Sequence, residues 1–144
     1  TSAMVAFLDK QDYYSGAVGS MGVCLGGHLA FRAALNPAIK AACCLYATDL
    51  HSNTLPAPDE DQTLARAGEI QGELLMIWGR QDPHVPDQPR AEINRALRDA
   101  GCTFSWLEVN GQHAFMRDEG DRYDPELALQ CYQMAVNLFR RTLR

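Results

Sequence analysis

The chain has 144 residues and a net charge of −5, with 47% hydrophobic and 22% charged residues. This length is typical of one domain, so residues 1–144 are predicted to form a single domain with its own core. The acidic balance argues against nonspecific binding to nucleic acid, and no apolar run approaches the roughly 20 residues of a transmembrane helix, so neither nucleic acid nor membrane is an expected partner.

The first third of the chain predicts a helix end, a strand, a tight turn and a second helix. Residues 3–10 are typical of the end of an amphipathic helix, and the apolar residues 17–22 predict a parallel strand buried on both faces. The glycine-rich stretch Gly22-Val23-Cys24-Leu25-Gly26-Gly27 comes next. A helix is expected to run on to about Leu35, because Asn36-Pro37 stops it.

The glycine-rich stretch has the layout of a nucleophile elbow, in which a sharp turn joins a strand to a helix. Glycines beside the apex allow the two backbones to approach closely. Cys24 stands at the apex, where the positive end of the following helix favours a thiolate, and the backbone N–H of Leu25 is the expected oxyanion donor. The alternative is a glycine-rich turn with a buried structural cysteine. Ser20 lies within the strand, so it is not a candidate nucleophile.

The rest of the chain alternates between strands and helices. Strands are predicted at residues 39–47, 73–78 and 103–109, and helices at residues 63–68, at 86–100 with Gly101 as its cap, and from Asp124-Pro125-Glu126 towards the C-terminus. Alternation of this kind predicts a parallel sheet of about four strands with right-handed crossovers and helices on both faces. Residues 48–61 are predicted to form a long polar loop at the carboxyl end of a strand, where ligand sites gather in such sheets.

Two further loops carry residue types that complete a catalytic set. Gly79-Arg80-Gln81-Asp82-Pro83-His84-Val85-Pro86 follows one predicted strand, and Gly111-Gln112-His113-Ala114-Phe115 follows the next. Nucleophile, acid and histidine then occur in the chain order of an α/β-hydrolase triad. In this interpretation Cys24 attacks, His113 is the general base and Asp82 orients its imidazole. The alternatives are a solvated loop histidine and an ordinary turn aspartate.

These three motifs together resemble the dienelactone hydrolase family, and the resemblance extends from about residue 3 to the end. It implies a partial α/β-hydrolase fold and hydrolysis of a small ester or lactone through an acyl-enzyme, with no metal or organic cofactor. It also implies that Arg117 holds a substrate carboxylate, against the alternative of a surface arginine. Tyr46 and Phe115 are candidates for the pocket lining, although aromatic residues at strand ends more often belong to the core.

Family members are longer at the N-terminus, where the first strands and one oxyanion donor normally lie. The strand at residues 17–22 would then be an edge with apolar faces, which natural proteins seldom leave open. We therefore expect this edge to be covered by a second copy of the chain or by an N-terminal segment. The competing hypothesis is a noncatalytic remnant that acts as an assembly or ligand-binding module.

The number and spacing of the cysteines indicate the redox conditions of the cellular compartment in which the protein is expected. Five cysteines is an odd number, and none of them has a Cys-x-x-Cys spacing. This argues against a disulfide framework and a zinc site, and it favours a reducing cytoplasm.

Overall fold

The structure is a computed structural model that describes residues 1–54 and 62–144. The four strands are β1 (Val18–Val23), β2 (Ile39–Leu45), β3 (Glu73–Gly79) and β4 (Phe104–Val109). The four α-helices are α1 (Ser2–Leu8), α2 (Leu25–Ala33), α3 (Asp87–Asp99) and α4 (Pro125–Thr142). A 3₁₀ helix, Leu64–Glu69, lies between β2 and β3.

The predicted fold class is confirmed. The four strands form one sheet in the order β1-β2-β3-β4, and each neighbouring pair is parallel. Because all strands run the same way, their carboxyl ends meet at one edge of the sheet, where ligand sites form in open α/β sheets.

Helices cover both faces of the sheet, so β2 is apolar along nearly its whole length. Its residues Ala42 and Cys44 join the core with α2, the 3₁₀ helix and α3. The alternate residues Ala41, Cys43 and Leu45 join the core with α4 on the opposite face. Successive side chains of a strand point to opposite faces, so burial on both sides requires a continuous apolar run.

The helix ends follow the predicted capping residues. Asp124 is the N-cap of α4, and its carboxylate accepts a hydrogen bond from the Leu127 backbone N–H at 3.0 Å. Gly101 follows α3 with φ +70°, the left-handed conformation that glycine adopts at little cost.

Three predicted segments differ from the structure or lie partly outside it. The prediction that the strand at residues 17–22 is buried on both faces is wrong, because β1 lies at the edge of the sheet and none of its residues is buried. The strand predicted to reach residue 47 ends at Leu45, because Tyr46 turns out of the strand with φ 36°. Of the polar loop predicted at residues 48–61, residues 55–61 lie outside the described part of the chain.

Strand β1 is an edge of the sheet in the described residues. It pairs with β2 alone, and its side chains Met21 and Val23 are 41% and 43% exposed. Leu25 and Leu29 of α2 are also exposed large hydrophobic residues. Four large apolar side chains of β1 and α2 are therefore exposed, whereas a single exposed hydrophobic residue is ordinary on a protein surface.

Within the described ranges, none of the helices combines the length and the apolar character needed to span a bilayer.

Candidate active site

Cys24 sits at a strained turn between β1 and α2. Its backbone has φ 57° and ψ −125°, a conformation that a non-glycine residue adopts only when its surroundings enforce it. A Cβ on Gly22 would lie 1.9 Å from the Gly26 carbonyl oxygen, and one on Gly27 would lie 2.8 Å from the Leu45 carbonyl oxygen. Glycine at these two positions therefore allows the strand, the turn and the helix to approach closely enough to hold the cysteine at the apex.

The Cys24 sulfur faces two polar side chains across the carboxyl edge of the sheet. Its Sγ lies 3.2 Å from His113 Nε2 and 4.0 Å from Thr48 Oγ1. Burial on its own would raise the pKa of this thiol, but hydrogen bonds to His113 and the Leu25 backbone N–H outweigh burial. The positive charge of the imidazolium and the Thr48 hydroxyl act in the same direction, so the pKa of Cys24 falls below its ordinary value. A lowered pKa increases the fraction of nucleophilic thiolate near neutral pH.

Asp82 is held by the loop between β3 and α3. One carboxylate oxygen, Oδ1, accepts the His84 backbone N–H at 2.8 Å, and the other, Oδ2, lies 2.7 Å from His113 Nδ1. Burial would raise the pKa of Asp82, but these two hydrogen bonds and the nearby imidazoles lower it below the ordinary value. The carboxylate therefore stays ionised and fixes the His113 ring.

His113 links the acid to the sulfur. Its hydrogen bond to Asp82 is the largest influence on its pKa and raises it; burial opposes this rise, and Cys24 adds to it. With Nδ1 donating to Asp82, the unprotonated Nε2 of the neutral ring can accept a proton from Cys24. The geometry therefore suits proton transfer from the thiol to the imidazole, which would leave a thiolate beside an imidazolium.

Tyr46 packs against His113, and Phe115 packs against Tyr46, both in the core rather than at the surface. The Tyr46 ring meets the rings of His113 and Phe115 edge to face, with centroids 5.1 Å and 5.3 Å away. Both aromatic side chains are almost completely buried, and burial raises the pKa of Tyr46 to about 12. Tyr46 therefore contacts the imidazole from the core, and contact of either aromatic residue with substrate stays a prediction.

Arg117 lies on the exposed surface of the loop that follows His113. Its backbone N–H donates to the Ala114 carbonyl at 2.9 Å, and the residue lines a surface cleft with Glu119 and Tyr123. The structure does not bring its guanidinium into the hydrogen-bonded chain of Asp82 and His113, and its role as a carboxylate clamp stays a prediction.

Three residues near the site were not singled out from the sequence. Thr48 reaches the sulfur from the loop after β2. The exposed His84 places its ring 4.5 Å from that of His113, centroid to centroid. His28 is buried under the elbow, where Nδ1 lies 3.0 Å from the Thr48 carbonyl oxygen. The signal for Thr48 was its position just beyond the carboxyl end of a buried strand.

The tautomer of His28 follows from its partners. A carbonyl oxygen only accepts, so Nδ1 carries the proton, and Nε2 then accepts from the Thr63 hydroxyl at 3.0 Å. Burial lowers the pKa of His28, which keeps the ring neutral. His28 therefore fixes the Thr48 segment below the sulfur instead of taking part in proton transfer.

In residues 1–54 and 62–144, no group of three or more histidine, cysteine, aspartate or glutamate residues is arranged to hold a metal ion. All five cysteines lie in these ranges as unpaired thiols.

An elbow cysteine, a loop histidine and a loop aspartate at the carboxyl edge of a parallel sheet define an α/β-hydrolase type of protein. The family model described as "Dienelactone hydrolase family" matches residues 1–143, and the chain belongs to this family.

Curated relatives agree with this assignment. The chain is 42% identical over 133 residues to a Saccharomyces cerevisiae protein named "Putative carboxymethylenebutenolidase", covering 88% of this chain and 49% of the relative. It is 29% identical over 122 residues to the carboxymethylenebutenolidase of Pseudomonas putida, covering 84% of this chain and 47% of the relative. The chain thus spans about half the length of the curated relatives it matches.

Solved structures match the fold. A crystal structure from Klebsiella pneumoniae titled "Putative Dienelactone Hydrolase" superposes with a TM-score of 0.75 at 26% identity, covering 83% of this chain and 50% of that one. A dienelactone hydrolase-like promiscuous phosphotriesterase from metagenomic libraries, at 22% identity and a TM-score of 0.78, covers 98% of this chain and 59% of that one. At 22% identity, the similarity to the phosphotriesterase shows a shared fold and carries no conclusion about activity.

Proposed function

We propose that this chain carries the catalytic residues of a carboxylic-ester or lactone hydrolase of the dienelactone hydrolase type. The observation that carries the proposal is the continuous hydrogen-bonded chain from Asp82 through His113 to Cys24. It ends on a sulfur held at a strained elbow, beside the N-terminus of α2. The name carboxymethylenebutenolidase among the relatives supports a small lactone or ester as the substrate class.

The first half of the reaction forms an acyl-enzyme. His113 Nε2 takes the thiol proton, and Cys24 Sγ attacks the carbonyl carbon of the ester. The carbonyl oxygen becomes an oxyanion, for which the Leu25 backbone N–H is the donor within this chain. When the C–O bond breaks, the departing alkoxide receives the proton from His113, and a thioester remains on Cys24.

The second half returns the enzyme to its starting state. The neutral His113 takes a proton from a water molecule, whose oxygen attacks the thioester carbonyl. The C–S bond breaks, Cys24 recovers its proton from His113, and the carboxylic acid leaves. Each step uses protein groups and water, so the proposed reaction includes no metal or organic cofactor. In this proposal, Arg117 binds a carboxylate on the substrate, because a guanidinium matches a carboxylate with two parallel hydrogen bonds.

The exposed β1 edge belongs to the same proposal. A second copy of the chain, or polypeptide on the N-terminal side, would pair with β1 and cover Met21 and Val23. The same addition would supply a second N–H to the oxyanion, whose absence would cost about 10²–10³ in rate. We further propose a reducing, cytoplasmic setting, because the attacking thiol at Cys24 must stay reduced.

The exposed edge also supports the alternative of a noncatalytic assembly or ligand-binding module. Sedimentation of the chain alone, with hydrogen exchange at the β1 amides, shows whether two copies pair along β1 or the edge stays open. A dimer with protected amides supports pairing between copies. A monomer with fast exchange supports an edge left for other polypeptide.

Hydrolysis of dienelactone and a short aryl ester by the purified chain tests the activity, beside the Cys24→Ala variant as the matched control. Turnover that disappears in Cys24→Ala is the expected result. Equal rates for the two proteins would contradict the hydrolase proposal and leave the noncatalytic module in its place.

A further inference from the structure

Arg90 is a charged residue buried to 1% exposure in the first turns of α3, directly behind the loop that carries Asp82. Its guanidinium Nη1 donates to the Val85 carbonyl oxygen at 2.7 Å and reaches the Gly79 carbonyl oxygen at 3.5 Å. Gly79 ends β3, and Val85 lies just before α3 begins. One side chain therefore joins the two ends of the loop that holds the acid.

The charge of Arg90 is balanced by two carboxylates from different elements. Asp87 of α3 pairs with Nη2, and Glu108 of β4 has Oε2 at 3.5 Å from Nε. Trp106 Nε1 donates to the other Glu108 oxygen at 3.0 Å, which orients that carboxylate. A buried ion pair is weak evidence for stability, because desolvation offsets the attraction between the charges. The hydrogen bonds from Arg90 to the Val85 and Gly79 carbonyls nevertheless hold the two ends of the loop in place.

The start of the same loop is attached to the strand and loop that precede His113. The Arg80 backbone N–H donates to the Val109 carbonyl at 2.8 Å, and that of Gln81 donates to the Gly111 carbonyl at 3.0 Å. The loop thus has one attachment on the histidine side and another, through Arg90, at Val85. Asp82 lies between these two attachments.

We infer that Arg90 is a positioning residue that holds Asp82 at hydrogen-bonding distance from His113 by fixing the backbone of the loop. The inference rests on the proposed function of the Asp82, His113 and Cys24 chain. The interactions that move the pKa of Asp82 are burial, the two histidines and their hydrogen bonds. Arg90 therefore acts through the loop backbone at Val85 and Gly79, without touching the reacting groups.

Loss of Arg90 would leave the buried Val85 carbonyl without its donor and allow the loop to shift. A displacement of about 1 Å at a supporting residue can reduce a rate by about 10²-fold. A displaced Asp82 would also stabilise the imidazolium less, so the Cys24 thiolate would form at higher pH. This second effect can be measured without substrate.

The test compares Arg90→Lys and Arg90→Met with Arg95→Met, which removes an exposed arginine from the same helix. The thiolate of Cys24 is titrated by its ultraviolet absorbance, with the same variants carrying Cys24→Ala as the blank. In the Arg90 variants the titration midpoint is expected to move to higher pH, and kcat for the ester to fall about 10- to 100-fold with KM nearly unchanged. Arg95→Met is expected to match the wild type in both measurements.

Arg90→Lys keeps the charge but replaces the planar fork, so it remains informative if Arg90→Met does not fold. An unchanged thiolate midpoint and kcat in folded Arg90→Lys would overturn the inference. If the wild type hydrolyses no ester, the proposed function fails, yet the thiolate midpoint still decides whether Arg90 positions Asp82.

Discussion

His113 Nε2 lies 3.2 Å from Cys24 Sγ, although 89 residues separate the two in the chain. The contact exists because Cys24 directly follows β1 and His113 follows β4, and the carboxyl ends of these parallel strands share one edge of the sheet. The pair combines a thiol whose pKa is lowered with an imidazole whose pKa is raised, which favours the thiolate–imidazolium form.

Alkylation of Cys24 is expected to accelerate at a lower pH than alkylation of an ordinary thiol. The thiolate is the reactive form, and its fraction rises as pH passes through the lowered pKa of Cys24. The rate constant with iodoacetamide, measured against pH, should therefore rise below about pH 8.5, the usual pKa of a thiol. Asp82→Asn should move that rise to higher pH, because the imidazolium loses its carboxylate partner. Coincident profiles for wild type and Asp82→Asn would contradict this coupling.

Stability should depend on pH through His113. Hydrogen bonding to Asp82 raises the pKa of His113 in the folded protein, so its protonated form contributes stability below the unfolded pKa of about 6.5. That contribution is lost as pH rises through the folded pKa. In a Cys24→Ala background, the difference in Tm made by His113→Gln should be larger at about pH 6 than at about pH 9. A difference that stays constant or grows with pH would argue against the raised pKa.

Gly22→Ala and Gly26→Ala form a matched pair on the elbow. A Cβ at Gly22 would lie 1.9 Å from the Gly26 carbonyl oxygen, whereas one at Gly26 would meet nothing within 4 Å. Gly22→Ala should lower the free energy of unfolding by about 2 kcal/mol or more, since the backbone must move. Gly26→Ala should change it by less than about 1 kcal/mol, because Gly26 lies in the first turn of α2 with helical backbone that alanine adopts readily. Urea denaturation measures both, and equal losses would show that the close approach at Gly22 is not the cause.

The exposed ring of His84 shields the edge of His113. Removing it with His84→Ala should reduce kcat/KM by about two- to tenfold, the range set by the loss of one aromatic pair. His84→Phe keeps a ring at that place and should retain most of the activity. The backbone N–H that holds Asp82 is present in both variants, so the comparison isolates the side chain. An equally slow His84→Phe would instead indicate a requirement for the imidazole.

Much of the fold could be predicted because its signals are local. Burial on both faces of a parallel sheet requires continuous apolar runs, and β2 and β3 show them. The end of β2 was placed two residues too far, since Tyr46 and Ala47 are as apolar as the strand itself. Local composition does not reveal that Tyr46 turns to φ 36° and packs against His113.

The sequence by itself determined the elbow and the order of Cys24, Asp82 and His113, because glycine spacing and strand ends are properties of short segments. Only the tertiary structure decided that Thr48 and His84 contact these residues and that Arg90 lies behind the loop that carries Asp82. Each of the three lies in a different loop or helix, and its distance from the catalytic residues depends on how the strands are arranged in the sheet. Parallel strands place their carboxyl ends together, so residues far apart in the chain become partners through the topology rather than through any local pattern.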